Sequence, residues 1–219
     1  MTVRVCLVRR PPGSVDIGVG LGSLAMAAWA TPHGNFGADN AAMDDIVKQA
    51  LAKWPNVPHC YGWLGLDARG QWYMRDDPTQ AAGPFPQSKG SLLRHDKLID
   101  FIQRNYEPDA TGQWFFQNGP QRVYVELEAA PLVWRVMDDF SLQAHTGQAG
   151  ALQRVLLDAE GRLYVAASAG LGIVHSQDMG LAADALEQGV WPAPEEVPAA
   201  DLPTRFGFVR SPAAARSAA

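Results

Sequence analysis

Cysteine is almost missing: Cys6 and Cys60 are the only two in 219 residues. Their spacing cannot make a local metal-ligand pair, and two thiols make no disulfide framework. They fit a reducing compartment, the cytoplasm. Positive charge is also scarce. Eighteen Lys and Arg stand against 23 Asp and Glu, a net charge of -5. Nucleic-acid binders carry a basic patch, and anionic membrane surfaces attract clustered Lys and Arg. Neither partner is expected. No uncharged apolar run reaches the ~20 residues that cross a bilayer. The histidines form no H-x-H, H-x-x-x-H or H-E-x-x-H pattern, so no metal or other cofactor is expected.

What is present is apolar material for a core, 47% of the residues. It is unevenly spread. Residues 1–42 hold a basic apolar stretch, Val3 to Arg10, a Pro-Pro-Gly break, and an uncharged Gly/Ala-rich run from Ile17 to Ala30. Ala28-Trp29-Ala30 resembles a small-residue cleavage site. The segment reads as a leader without fold, an artefactual start or signal-like; a real signal peptide over 1–30 would mean export. Residues 195–219, rich in Pro and Ala, read as a flexible tail.

Between these lie residues 43–194. Met43, Ile46, Val47, Ala50, Leu51 and Trp54 repeat with helical spacing, and Pro55 stops the helix. Tyr61–Leu66 and Gln71–Met74 read as strands around the turn Asp67-Ala68-Arg69-Gly70. Arg75–Gly83 reads as a polar loop and Asp96–Tyr106 as a second helix. Gln113–Gln117, the Asn118-Gly119 turn and Val123–Glu128 make a hairpin, because glycine takes the positive φ of a type I′ turn. Leu132–Val136 is a strand. Leu152–Leu157 and Arg162–Val165 flank the turn Asp158-Ala159-Glu160-Gly161. Leu171–Val174 is a strand and Met179–Gln188 a final helix. Hairpins with interspersed helices define an α+β fold, not a βαβ alternation.

Two stretches echo each other: Leu66-Asp67-Ala68-Arg69-Gly70-Gln71-Trp72-Tyr73 and Leu157-Asp158-Ala159-Glu160-Gly161-Arg162-Leu163-Tyr164. A histidine, an aspartate and a helix follow each, with His95 and Asp96 after the first and His175 and Asp178 after the second. The echo predicts two related halves, 43–145 and a smaller 146–194, with a ligand groove between them.

The runs Gly70-Gln71-Trp72-Tyr73, Asp96-Lys97-Leu98, Trp114-Phe115, Pro120 to Glu126 and Ala130-Pro131-Leu132-Val133 resemble uncharacterised proteobacterial proteins classed as domains of unknown function. The resemblance covers roughly Tyr61 to Gln188, with Leu132 where phenylalanine is expected. It implies a two-part α+β fold with small curved antiparallel sheets and two or three packed helices. It implies no activity.

Candidate chemistry is sparse. Ser168 and Ser176 lack a G-x-S-x-G elbow. His59 and Cys60 are strand neighbours and point to opposite faces. His175 and Asp178 have a spacing that chelates or, equally, caps a helix. Gly170-Leu171-Gly172 and Gly83-Pro84-Phe85-Pro86 lack the context of a phosphate loop. Arg122, Tyr124 and His95 are the candidate ligand-binding residues: a guanidinium fork for an anion, an aromatic wall with a hydroxyl, and a group that responds to pH. The expectation is a non-catalytic module that binds a small anionic ligand or a protein partner. The alternative is a hydrolase or isomerase using His95, His145 or His175 as acid or base.

Overall fold

The structure is a computed structural model and describes residues 57–218. The helix expected over 43–54 and the leader lie outside the described residues. Apolar alternation produces β1 (Cys60–Leu66) and β2 (Trp72–Met74), followed by α1 (Asp77–Ala82), β3 (Ser91–Leu92) and α2 (Asp96–Arg104). The strands β4 (Tyr106–Pro108), β5 (Trp114–Asn118) and β6 (Gln121–Leu127) complete a six-stranded sheet of order β3-β2-β1-β6-β5-β4. A second sheet holds β7 (Leu132–Val136), β8 (Leu142–Ala144), β9 (Ala149–Gly150), β10 (Leu152–Leu157), β11 (Leu163–Ala167), β12 (Gly170–Val174) and β13 (Glu195–Glu196). Its order is β13-β10-β11-β12-β7-β8-β9. A 3-10 turn, Ser176–Asp178, leads into α3 (Met179–Glu187), and α4 (Leu202–Phe206) and α5 (Pro212–Ala218) follow.

The fold is α+β with two curled sheets. Hairpins supply the antiparallel pairs, and each sheet is mixed, because β1 runs parallel to β6 and β7 parallel to β12. Read from β7 onward, the second sheet repeats the first: two strands on one side of a parallel central pair, two on the other, joined in the same sequence with β13 added. The sheets divide at 128–131, ahead of the expected boundary at 145. The turns at Asp67 and Asp158 are therefore not counterparts. By topology, the β1–β2 turn matches the β7–β8 turn, and the counterpart of Asp158 is Asp109, between β4 and β5.

All three aspartates nonetheless build one device. Asp67 Oδ1 accepts the amides of Arg69 and Gln71, each at 2.9 Å, and Gly70 takes the left-handed conformation (φ 77°) that closes the turn. This is a type I turn with a one-residue bulge. Asp158 Oδ1 accepts Glu160 N and Arg162 N, and Asp109 Oδ1 accepts Thr111 N and Gln113 N. In each the second oxygen takes a tyrosine hydroxyl, from Tyr73, Tyr124 or Tyr164. Asp158 is buried. Asp158→Ala removes both amide acceptors and the tyrosine partner, and is expected to cost about 1–3 kcal/mol in urea unfolding.

Three segments differ from the sequence expectation. Residues 75–83 contain α1, because Asp76 Oδ1 accepts Thr79 N at 3.0 Å and Pro78 pre-sets the first turn. The second helix ends at Arg104; Tyr106 leaves it to pair with Phe116 and bonds Pro131 O at 3.0 Å. Residues 195–218 are not a tail without structure. Glu195 and Glu196 pair with Leu156 and Leu157, Leu202 and Phe208 are buried, and α5 packs on the first sheet. There the buried Glu126 carboxylate accepts Ser211 Oγ at 2.5 Å and Ala213 N at 3.0 Å. Pro and Ala composition hid these apolar anchors.

Trp134 fills the inside of the second sheet's curl. Its indole lies over Gly172 of β12 and Gly150 of β9, and Nε1 donates to Val165 O of β11 at 3.0 Å.

Candidate functional site

The strand ends and turns set every candidate side chain. Tyr124 on β6 faces the same side as its partner Phe115. Its ring stacks on Tyr61 at 4.5 Å, its hydroxyl donates to Asp109 Oδ2 at 3.0 Å, and burial with this bond pushes its pKa up to about 12. Two residues earlier, Arg122 lays its guanidinium over Phe115, 4.4 Å from the ring centre. On the same face, burial and then Arg122 and Arg216 hold His59 below its ordinary pKa.

His95 is elsewhere. It caps α2, its Nδ1 accepting Leu98 N at 3.3 Å. The helix reaches the sheet through Phe101, edge-on to Phe116. Phe116 pairs with Val123, so α2 lies on the face opposite Tyr124. The structure brings Arg122 and Tyr124 together and leaves His95 on the other side.

The other two histidines are also dispersed. His145 follows β8 at the seam between the sheets. Its amide donates to Val133 O at 2.8 Å and its Nδ1 accepts Val133 N at 3.2 Å. The ring meets Trp72 at 5.7 Å and Tyr106 at 5.9 Å, both from the first sheet. Because Nδ1 is an acceptor, the proton sits on Nε2, which is buried with no partner among the described residues. Burial drives its pKa down to about 3. Its topological counterpart is Arg75, whose amide likewise donates to Trp63 O. The Arg75 guanidinium, also buried, donates to Ser88 O, Gly62 O and Gly83 O and fixes the 76–90 loop.

His175 caps the 3-10 turn, its Nδ1 accepting Gln177 N at 3.2 Å. Asp178 does not chelate with it. The carboxylate takes Arg135 Nε at 2.5 Å, Arg135 Nη2 at 2.9 Å and Val136 N at 3.2 Å. The Arg135 bond holds Asp178 below the usual carboxylate range. Burial and then Arg135 hold His175 below its ordinary value. All three predicted histidines thus spend Nδ1 on a backbone amide, and no cluster of three or more metal-ligating side chains exists among the described residues.

A groove does open between the sheets. It holds about 340 Å³. One wall is the Asp67 turn, with Ala68 and Arg69; the other is Gly161 to Leu163 of the Asp158 turn. Ile173, Val174, Ser176 and Met179 close the end, and Lys89 and Glu128 sit at the rim. Lys89 Nζ is 2.7 Å from Glu128 Oε2 and 3.5 Å from Asp67 Oδ2. Arg162 is held by Asp158 at 2.7 Å and Glu160 at 3.0 Å. Arg69 is exposed and carries no ion pair among the described residues. Neither Arg122, Tyr124 nor any of the three histidines lines this groove. Both turns that wall the groove are legible in the sequence, while the candidate ligand-binding residues Arg122, Tyr124 and His95 lie off it.

Fold and groove together define a two-sheet α+β protein with a charged seam. Residues 43–213 match the family model described as a protein of unknown function (DUF2946), and the chain belongs to that family. It is also similar in structure to a DUF1285 family protein from Silicibacter pomeroyi DSS-3, with 14% identity, a TM-score of 0.41, and coverage of 61% of this chain and 74% of that one. A DUF1285 family protein from Shewanella baltica OS155 gives 14% identity and a TM-score of 0.39, covering 56% of this chain and 91% of that one. No curated protein matches the sequence. No helix among the described residues is long and apolar enough to cross a membrane.

Proposed function

We propose that this chain is a non-catalytic cytoplasmic module that binds a small anionic ligand in the seam between its two sheets. The observation that supports this reading is the groove itself: two aspartate turns, one from each sheet, face each other across about 340 Å³ and present Arg69 and Arg162 at opposite lips. A site at the junction of two similarly wound sheets fits the proposal that the halves are repeats, 60–127 and 132–174. Guanidinium groups recognise carboxylate and phosphate through paired N–H donors. Nothing favours the hydrolase or isomerase reading, since His95, His145 and His175 stand apart and each holds a backbone amide.

Thermal-shift titration of the full chain with inorganic phosphate, acetate and citrate tests the proposal. At least one anion is expected to raise Tm, with the shift lost in Arg69→Ala and kept in Arg122→Ala. The opposite pattern would move binding to the Arg122–Tyr124 face and end the seam reading.

A further inference from the structure

We infer that the seam groove selects an amphipathic monoanion, a molecule with one carboxylate head and a small apolar body. This rests on the binding reading above and narrows it by ligand class. The inner wall is apolar: half-buried Ala68 and Met179 stand at its surface, backed by the buried Leu163, Ile173 and Val174. A bare inorganic ion would leave the accessible part of that wall wet, whereas an apolar body covering it releases water.

Charge at the rim limits the head. Lys89 is already neutralised by Glu128 and Asp67, and Arg162 by Asp158 and Glu160. Only Arg69 among the groove's cations forms no ion pair among the described residues, where Lys89 and Arg162 each form two. One head therefore meets one guanidinium. A second anionic group would approach the Asp67 and Glu128 carboxylates, which face the same space, and would be repelled. An apolar wall with charged groups at its rim suits a small molecule that has both parts.

Sodium octanoate is the probe, with acetate as the head alone, octanol as the body alone and citrate as the polyanion. Each is titrated into ¹⁵N-labelled full-length protein by two-dimensional NMR. Octanoate is expected to shift the amides of Ala68, Gly161 and Ser176 saturably, at roughly tenfold lower concentration than the other three, a difference of about 1.4 kcal/mol. Arg69→Gln should weaken octanoate about tenfold and leave octanol unchanged, because only the charge-assisted bond is lost. The Arg69 side chain is exposed, so an unchanged spectrum elsewhere verifies that the variant folds. If citrate or acetate moves these amides as tightly as octanoate, the ligand class is wrong and the groove reading survives. The inference also falls if Arg69→Gln binds octanoate like wild type. If none of the probes moves them, both fall.

Discussion

Acidification is expected to destabilise the wild-type protein far more than a His145→Asn variant. The native imidazole is neutral, with its pKa lowered to about 3 by burial at the seam. In the unfolded chain the ring titrates near 6.5. A depressed native value means that the unfolded state binds the extra proton. The stabilisation is therefore fully present above pH 6.5 and lost as pH falls toward 3. Each pH unit inside that window removes about 1.4 kcal/mol, so about 3 kcal/mol should be gone at pH 4. Asparagine keeps an acceptor where Nδ1 meets Val133 N and has no proton to gain. Urea unfolding of both proteins at pH 7 and pH 4 measures the difference. His59 and His175 contribute equally to both proteins and cancel. Parallel losses in the two would show that His145 is not the acid-sensitive group.

Gly172→Ala should be one of the most damaging single-methyl changes in the protein. A Cβ there would lie 2.6 Å from Trp134 Cδ1 and Nε1, and 2.8 Å from Leu132 O. The carbonyl belongs to β7, the parallel partner of β12, so a rotamer change cannot clear it. The indole is fully buried and tied to Val165 O. Moving it breaks that bond and pushes on Gly150, whose own Cβ would meet Trp134 Cη2 at 2.5 Å. Overpacking and a lost buried hydrogen bond together predict a cost of about 3 kcal/mol or more. Gly161→Ala is the comparison. It changes a turn glycine rather than a strand glycine, at φ 75°, and a Cβ there meets nothing within 4 Å. Only backbone strain of about 1–2 kcal/mol is expected. Equal unfolding midpoints for the two variants would refute the view that Trp134 is the tightly enclosed centre of the second sheet.

Local signals in the sequence were readable where the cause is local. The hairpins around Asp67, Asn118 and Asp158 follow from glycine and aspartate turn chemistry, and they stand where expected. Asp76 before Pro78 and Thr79 is a helix start with the same kind of local cause, masked by the polarity of α1, in which no residue is buried. The third turn, Asp109-Ala110-Thr111-Gly112, carries the same letters and the same Gln-Trp sequel as the first. The helical spacing that runs on to Tyr106 masks the strand that leads into it. Partnership between distant strands was not readable. Nothing near Cys60 announces Val123 as its neighbour, and nothing in Arg122, Tyr124 and His95 reveals that β6 turns two of them away from α2. That Arg69 and Arg162 line one groove was not legible either, because it depends on how the two sheets pack.

The parallel pair at the centre of each sheet has a kinetic consequence. β1 meets β6 and β7 meets β12, so in both cases the first strand of the sheet waits for the one five strands later. The hairpins between them can zip within about 1–10 μs, but neither central pair forms until a long stretch of chain has closed its ends, an entropic toll met before any reward. Refolding should accordingly be slow for a chain of this size, with high-contact-order closure setting the rate. Single-molecule or stopped-flow traces should show early hairpin signals well ahead of the burial of Trp134.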